Sequence, residues 1–310
     1  MIDLEAPSDF VERELDLRAE MPFVQSDAQL QQLLAIARHV DFRDGDHMYE
    51  QGSAIASLYL ILSGDVDLVS EQAPTWRFTN TGAIGFLDFM MGRANTRTAI
   101  ARGDVRALEI DQADYAEFMQ DHSEIGHQML SQLSANLIET IAVSDVAPAV
   151  LNREEEGPIP DTSDLALVDR LMLLSRVPAF SRATVQSLAN LAQNTEVVVF
   201  AAGDLIEQAG AHSDRLSILI RGTIELSHPD RKITVLRRPV DLVCHAAELT
   251  TNPRPFTARA VNEAVVFQID REELLDRLDE HFELTQSLFA YIAGQRERFN
   301  NLASIAGVGL

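Results

Sequence analysis

Between Gly82 and Ala99 the chain places a glycine-rich turn, a short apolar segment and an arginine followed by small residues. Gly82 and Gly85 allow the backbone to approach a ligand closely. A helical turn after Gly85 aims unsatisfied N–H groups outward, and Arg97 supplies a positive charge. Thr98 adds a hydroxyl donor and Ala99 leaves room. The chemistry these residue types suit is the capture of a phosphate or similar anion. Phe86 follows Gly85, and Asp88 lies close enough to serve as a second polar group of the site.

A related stretch lies downstream. Asp241 leads through Cys244 and His245 to Arg254, Pro255 and Phe256. Pro255 removes one backbone N–H that an anion would use. Cys244 and His245 are sequence neighbours, and neighbours on a strand point to opposite faces, so they do not make a nucleophile and base. A buried structural thiol is expected at Cys244. The eight histidines form no His-x-His pair, so no metal site and no metal cofactor are expected.

Two copies of one unit position these stretches. Phe42, Gly45, Gly52 and Gly64 recur as Phe200, Gly203, Gly210 and Gly222, spaced 3, 7 and 12 residues apart in both copies. Met21 and Pro22 recur as Val177 and Pro178, and Ile110 and Asp111 as Ile269 and Asp270. Shared spacing over this many landmarks indicates internal duplication. Each copy reads as a helix, about eight short strands with glycine turns, and closing helices. Residues 26–39 read as the first helix, capped by Ser26 or Asp27. Leu58–Val69 reads as two strands around a turn at Gly64, and 98–110 as strands interrupted near Gly103 and Asp104. Residues 112–120, 124–143 and 271–303 read as closing helices, and 8–20 is compatible with helix. The expected fold is mainly β with flanking α, in two β-rolls of jelly-roll type. The domains are placed at 1–143 and 163–306. Residues 144–162 read as a linker, rich in proline and carrying Glu154, Glu155 and Glu156, and 307–310 as a tail.

The order of elements and the glycine spacing resemble the cyclic-nucleotide-binding domain over most of the chain. The resemblance implies that Gly85, Phe86, Asp88, Arg97, Thr98 and Ala99 correspond to the phosphate-binding cassette of the first copy. Arg97, Thr98 and Ala99 match the family's Arg-Ser/Thr-Ala, with about two extra residues near Ala94 and Asn95, whereas the second copy aligns without gaps. Phe86 stands where the family has the glutamate that holds the ribose, and Asp88 is the candidate replacement. In the second copy Cys244, His245, Arg254 and Pro255 mark a vestigial cassette, with Arg254 aligned to the family arginine. A cyclic nucleotide is the ligand so implied, but tight binding is not expected. The implied role is a non-enzymatic regulatory or scaffold protein acting through protein–protein contact; the alternative is a second-messenger receptor with an altered first site.

The 310 residues are 46% hydrophobic and carry a net charge of −23. Such a surface repels nucleic acid and anionic membrane. No helix-turn-helix follows the second copy, so no nucleic-acid partner is expected. One cysteine precludes an internal disulfide and fits a reducing cytoplasm. No apolar run reaches the length that spans a bilayer, and no signal-peptide pattern is present, so no membrane insertion is expected. The expected partner is another protein or a second copy. Leu130, Leu133, Leu137 and Ile141, with Leu288, Ile292, Phe299 and Leu302, form stripes at helical spacing that suit either a homodimer interface or the cover of their own rolls.

Overall fold

The computed structural model describes residues 24, 26–71, 74–79, 82–143, 165–212, 214–229, 234–237, 239–244, 249–250 and 253–305; at 140–143, 234–237 and 297–305 it describes the backbone alone. Met21, Pro22, the segment 8–20, the linker 144–162, His245 and the tail 307–310 lie outside the described residues, as do the side chains of Ile141, Phe299 and Leu302. Contacts divide the chain into two compact units, Met1–Ile125 and Gly126–Leu310. The sequence-based domain boundary was instead set after residue 143.

In the first unit, helix α1 (Asp27–Ala35) starts at a reciprocal cap. The Ser26 hydroxyl accepts from the Gln29 N–H, and the Gln29 side chain accepts from the Ser26 N–H, each at 3.1 Å. The helix ends before Arg38 and His39, which were expected to be helical but lie on strand β1 (Ala37–Phe42). The remaining strands are β2 (His47–Tyr49), β3 (Ser57–Val69), β4 (Trp76–Thr79), β5 (Gly82–Ile84) and β6 (Thr98–Asp111). Helix α2 (Phe86–Met90) lies between β5 and β6. Helix α3 (Gln112–Asp121) follows β6 and leads into α4 (Ser123–Val143), most of which falls in the second unit.

The sheet runs β1-β6-β3-β4, with β2 on β6 and β5 on β3, so β4 is an edge strand. Two long antiparallel strands, β3 and β6, pair from Ser57↔Asp111 to Val69↔Thr98. Neither breaks where a turn was expected. Gly64 stays within β3 at φ 97, and the register shifts around it instead. A Cβ there would lie 2.5 Å from the Asp104 carbonyl oxygen, so only glycine lets the strands bend this closely. Inside the roll, Val66, Leu68, Ile84, Ala99, Ala101 and Val105 form a buried core, with Tyr49 and Phe78 packed against it.

The second unit contains α5 (Leu167–Leu174), a 3-10 turn at Pro178–Phe180, α6 (Val185–Gln193), strands β7 to β14, and closing helices α7 (Arg271–Glu280) and α8 (Phe282–Ile305). The strands are β7 (Glu196–Phe200), β8 (Leu205–Glu207), β9 (Arg215–Arg221), β10 (Ile224–Ser227), β11 (Thr234–Arg237), β12 (Asp241–Leu242), β13 (Thr257–Ala260) and β14 (Ala264–Asp270). They form two four-stranded sheets, β11-β10-β13-β8 and β12-β9-β14-β7. Gly222 has the same φ of 97 as Gly64, and its Cβ would meet the Glu263 carbonyl at 2.4 Å. Here the chain does break into β9 and β10, as sequence reading expected of both copies. Leu130 and Leu137 on α4, and Leu288 and Ile292 on α8, are fully buried within the chain, and Leu133 is half-buried. The four buried side chains serve as core, so they cannot also be an exposed dimer face.

Candidate functional site

Gly85 adopts φ 88 and starts α2, which accepts the Phe89 N–H at the Gly85 carbonyl (3.0 Å). The left-handed turn swings the next residues away from β5. Phe86 packs edge-on against Tyr115 of α3, with ring centroids 5.1 Å apart, and Phe89 meets the same ring at 5.3 Å. Burial holds the Tyr115 phenol well above its ordinary pKa. Phe86 therefore ties the cassette to α3 through an aromatic cluster.

Asp88 is buried and engaged. Its carboxylate accepts from Arg93 Nε at 2.7 Å, and from the Thr96 N–H and hydroxyl at 2.9 Å each. It closes the 93–96 loop on itself. Arg97 is also buried, at 8% exposure. Its Nη1 donates to the Leu68 carbonyl at 3.1 Å and the Pro74 carbonyl at 2.6 Å. Its guanidinium carbon stands 3.8 Å from the centroid of the Trp76 ring, which is half-exposed. Among the described residues no carboxylate pairs with Arg97. A carboxylate partner such as Asp88 was one of two expected outcomes; two carbonyls and an indole face take that place.

Thr98 is likewise engaged. Its hydroxyl accepts from the Gln51 N–H at 2.9 Å and lies 3.3 Å from Glu50 Oε2. Glu50 in turn meets His47 Nδ1 at 2.5 Å, and that hydrogen bond lowers its carboxyl pKa. Ala99 is fully buried in the core. Behind the cassette, Tyr49 stacks on Tyr59 at 6.3 Å, and Phe42 meets Tyr59 edge-on at 5.8 Å. Burial, then the charge of Asp88, keeps the Tyr49 phenol protonated far into the alkaline range.

Backbone pairing gives the true correspondence between the copies. Tyr49↔Ala99 in the first recurs as Glu207↔Ala258 in the second. The Gly52 N–H to Asn95 carbonyl bond (2.7 Å) recurs as Gly210 to Arg254 (2.9 Å). The bond from the Gln51 N–H to the Thr98 hydroxyl recurs from Ala209 to Thr257 (3.2 Å). Arg97 therefore corresponds to Phe256, and Arg254 to Asn95. Sequence reading aligns each arginine with the family arginine, Arg254 without a gap and Arg97 with about two extra residues near Ala94 and Asn95; the backbone pairing shows that the two do not occupy equivalent positions.

Arg254 has an internal partner. It is 7% exposed and meets Glu207 Oε2 at 2.8 Å through Nη1, while Nη2 donates to the Arg215 carbonyl at 3.3 Å. Phe256 is buried edge-on to His228, centroids 5.7 Å apart. Cys244 is buried and Pro255 half-buried. Sequence reasoning missed Trp76, Pro74 and Glu207. A signal existed for Glu207: it is a carboxylate at the end of the short strand Leu205–Glu207, where the first copy has Tyr49. Among the described residues, no three His, Cys, Asp or Glu side chains gather as metal ligands, and no helix is long and apolar enough to cross a membrane.

The family model for the cyclic nucleotide-binding domain matches residues 39–122 and 197–281, more than half of the sequence. The chain belongs to the cyclic nucleotide-binding domain family, with two copies in tandem. Among curated relatives, a CRP-like cAMP-activated global transcriptional regulator of Mycobacterium tuberculosis is 24% identical over 133 residues, covering 42% of this chain and 59% of its own. A cAMP-dependent protein kinase regulatory subunit of Dictyostelium discoideum is 21% identical over 243 residues, covering 74% of this chain and 62% of its own. The chain thus spans less than two thirds of either relative. Among solved structures, the regulatory subunit of a cAMP-independent protein kinase A from Trypanosoma brucei is 18% identical, with 89% of each chain covered and a TM-score of 0.35. A superposition this loose bears on neither domain arrangement nor ligand.

Proposed function

We propose that this chain is a non-enzymatic regulatory protein whose two cyclic-nucleotide-binding domains have given up tight nucleotide binding, and which acts through contact with another protein. The observation that carries this reading is the buried Glu207–Arg254 pair. In the second domain a protein carboxylate neutralises the cassette's cation, and Phe256 fills the position of Arg97. Phe86 in the first domain removes the carboxylate that would hold a ribose. The named curated relatives, a transcriptional regulator and a kinase regulatory subunit, support a regulatory role. The net charge of −23 disfavours nucleic acid as the partner.

A second reading is favoured by Arg97. Among the described residues it is a buried cation held by carbonyls rather than by a carboxylate, which leaves its charge for an anion to balance. On this reading the first domain is a weak receptor for a cyclic nucleotide or another phosphate-bearing ligand. Calorimetry of cyclic AMP and cyclic GMP against wild type, Arg97→Ala and Arg254→Ala tests both. The first reading expects no submicromolar binding to any of the three. The second expects weak binding that Arg97→Ala abolishes and Arg254→Ala leaves intact. Affinity capture from the source cell, repeated at high salt, then tests for the protein partner.

A further inference from the structure

We infer that the stretch Pro74–Trp76 is a built-in competitor for the anion at Arg97, and that it sets the affinity of the first domain. The inference rests on the second reading above, in which the first cassette takes a phosphate-bearing ligand.

Two different parts of the guanidinium are occupied by this one short stretch. The Pro74 carbonyl takes the edge of Arg97 at Nη1, 2.6 Å away, which is the side a phosphate oxygen would bond. The Trp76 ring covers the face, 3.8 Å from the guanidinium carbon. A carbonyl brings one neutral acceptor to the guanidinium, whereas a phosphate brings a full negative charge and can bond it bidentately. An anion therefore has the advantage for the edge. It must displace the Pro74 carbonyl, and Trp76, two residues along, moves with it.

The sheet makes such displacement local. Trp76 begins the edge strand β4, which pairs with β3 alone. Leu68↔Trp76 is the last pair of that ladder, so releasing Trp76 frays one end and leaves Val66↔Phe78 in place. The Trp76 ring is 52% exposed, so it contributes little to the core. The Leu68 carbonyl, 3.1 Å from Arg97, belongs to the long central strand and stays as the fixed support of the guanidinium.

Trp76 is the only tryptophan in the sequence, so its fluorescence reports this contact directly. The test is titration of cyclic AMP, and separately of inorganic phosphate, followed by calorimetry and by Trp76 emission. Wild type is compared with Trp76→Ala, Trp76→Phe and Arg97→Gln, each checked for an unchanged unfolding midpoint. Losing a cation–π contact should tighten cyclic AMP binding to Trp76→Ala by about fivefold to thirtyfold. Trp76→Phe, which keeps a ring, should fall between Trp76→Ala and wild type, and ligand should shift the wild-type emission. Equal binding by wild type and Trp76→Ala, lost in Arg97→Gln, would refute the competitor and leave the receptor reading standing. Absence of binding to both at millimolar ligand would overturn the two together.

Discussion

Glu207 and Arg254 meet at 2.8 Å with side chains 1% and 7% exposed, so each balances the other's buried charge. Removing one partner strands a buried charge. Glu207→Gln should therefore destabilise the second unit by about 3–5 kcal/mol, whereas replacing both with apolar residues, as in Glu207→Leu with Arg254→Met, should cost far less or nothing. Urea midpoints of the two variants, at unchanged slope, check the order. Equal losses would mean that the pair is not the closed unit described.

Phe86 aligns, by the resemblance, with the family's ribose-binding glutamate, which invites an experiment. On the proposed reading a glutamate there would contribute about 1.5–3 kcal/mol through hydrogen bonds of a charged group. Phe86 now packs on Tyr115, so Phe86→Glu should lower the thermal midpoint by forfeiting that contact. It should not by itself give submicromolar cyclic AMP binding, because Trp76 and the Pro74 carbonyl still hold Arg97. Calorimetry of the single variant decides.

Asp67 carries the clearest pH signature. Arg77 grips its carboxylate through two bonds, at 2.6 and 2.8 Å, and Arg102 adds a third at 2.7 Å. Arg77 first, then Arg102, lowers its pKa from 3.8 to about 2 despite the opposing effect of burial. A carboxyl depressed in the folded state stabilises fully above its unfolded pKa, and that stability is lost as pH falls through the folded value. The stability gap between wild type and Asp67→Asn should be constant above about pH 5, shrink on acidification and be all but lost below about pH 2. Urea unfolding at stepped pH measures it; a gap that persists below that range would contradict the assignment.

Gly64 and Gly222 make a matched pair. Both sit at φ 97, with a carbonyl oxygen within 2.5 Å of any added Cβ. Alanine at either position should destabilise its own unit by more than the 1 kcal/mol or so that a left-handed residue alone costs, because the facing strand must also yield. Gly45→Ala and Gly203→Ala, with open space around the new methyl, should cost only the backbone term. Thermal unfolding of the four variants compares them.

Cys244, buried at 3% exposure, should react slowly with a thiol reagent in the native protein and at the free-thiol rate in urea. Fast native labelling would place it elsewhere.

The legible part of this protein was backbone punctuation. Positive φ at Gly45, Gly52, Gly203 and Gly210 is a local demand that glycine meets, so spacing alone revealed the duplication. The Ser26 cap was readable for the same reason. What sequence did not reveal was non-local. Nothing near Arg97 in the chain points to Leu68, Pro74 or Trp76, and nothing near Phe86 points to Tyr115. Gly64 misled because a positive φ serves a turn and a bend inside a strand equally well. The correspondence between the two cassettes was hidden because the shared landmarks, Thr98–Ala99 and Thr257–Ala258, follow an arginine in one copy and Phe256 in the other.

The recurrence of Tyr49↔Ala99 as Glu207↔Ala258 has a consequence for anyone who would rebuild the second pocket. Asn95 and Arg97 precede β6 as Arg254 and Phe256 precede β13, so the two domains carry their arginines two residues apart in the segment that leads into the strand. The guanidinium at 254 belongs to a circuit with Glu207, while position 256 carries a ring. Giving the second domain a guanidinium where the first has Arg97 therefore calls for a transplant: Phe256→Arg, together with neutral residues at 207 and 254 to dissolve the existing pair. A domain that fails to respond to ligand after Phe256→Arg alone has not lost its architecture; its charge is committed elsewhere.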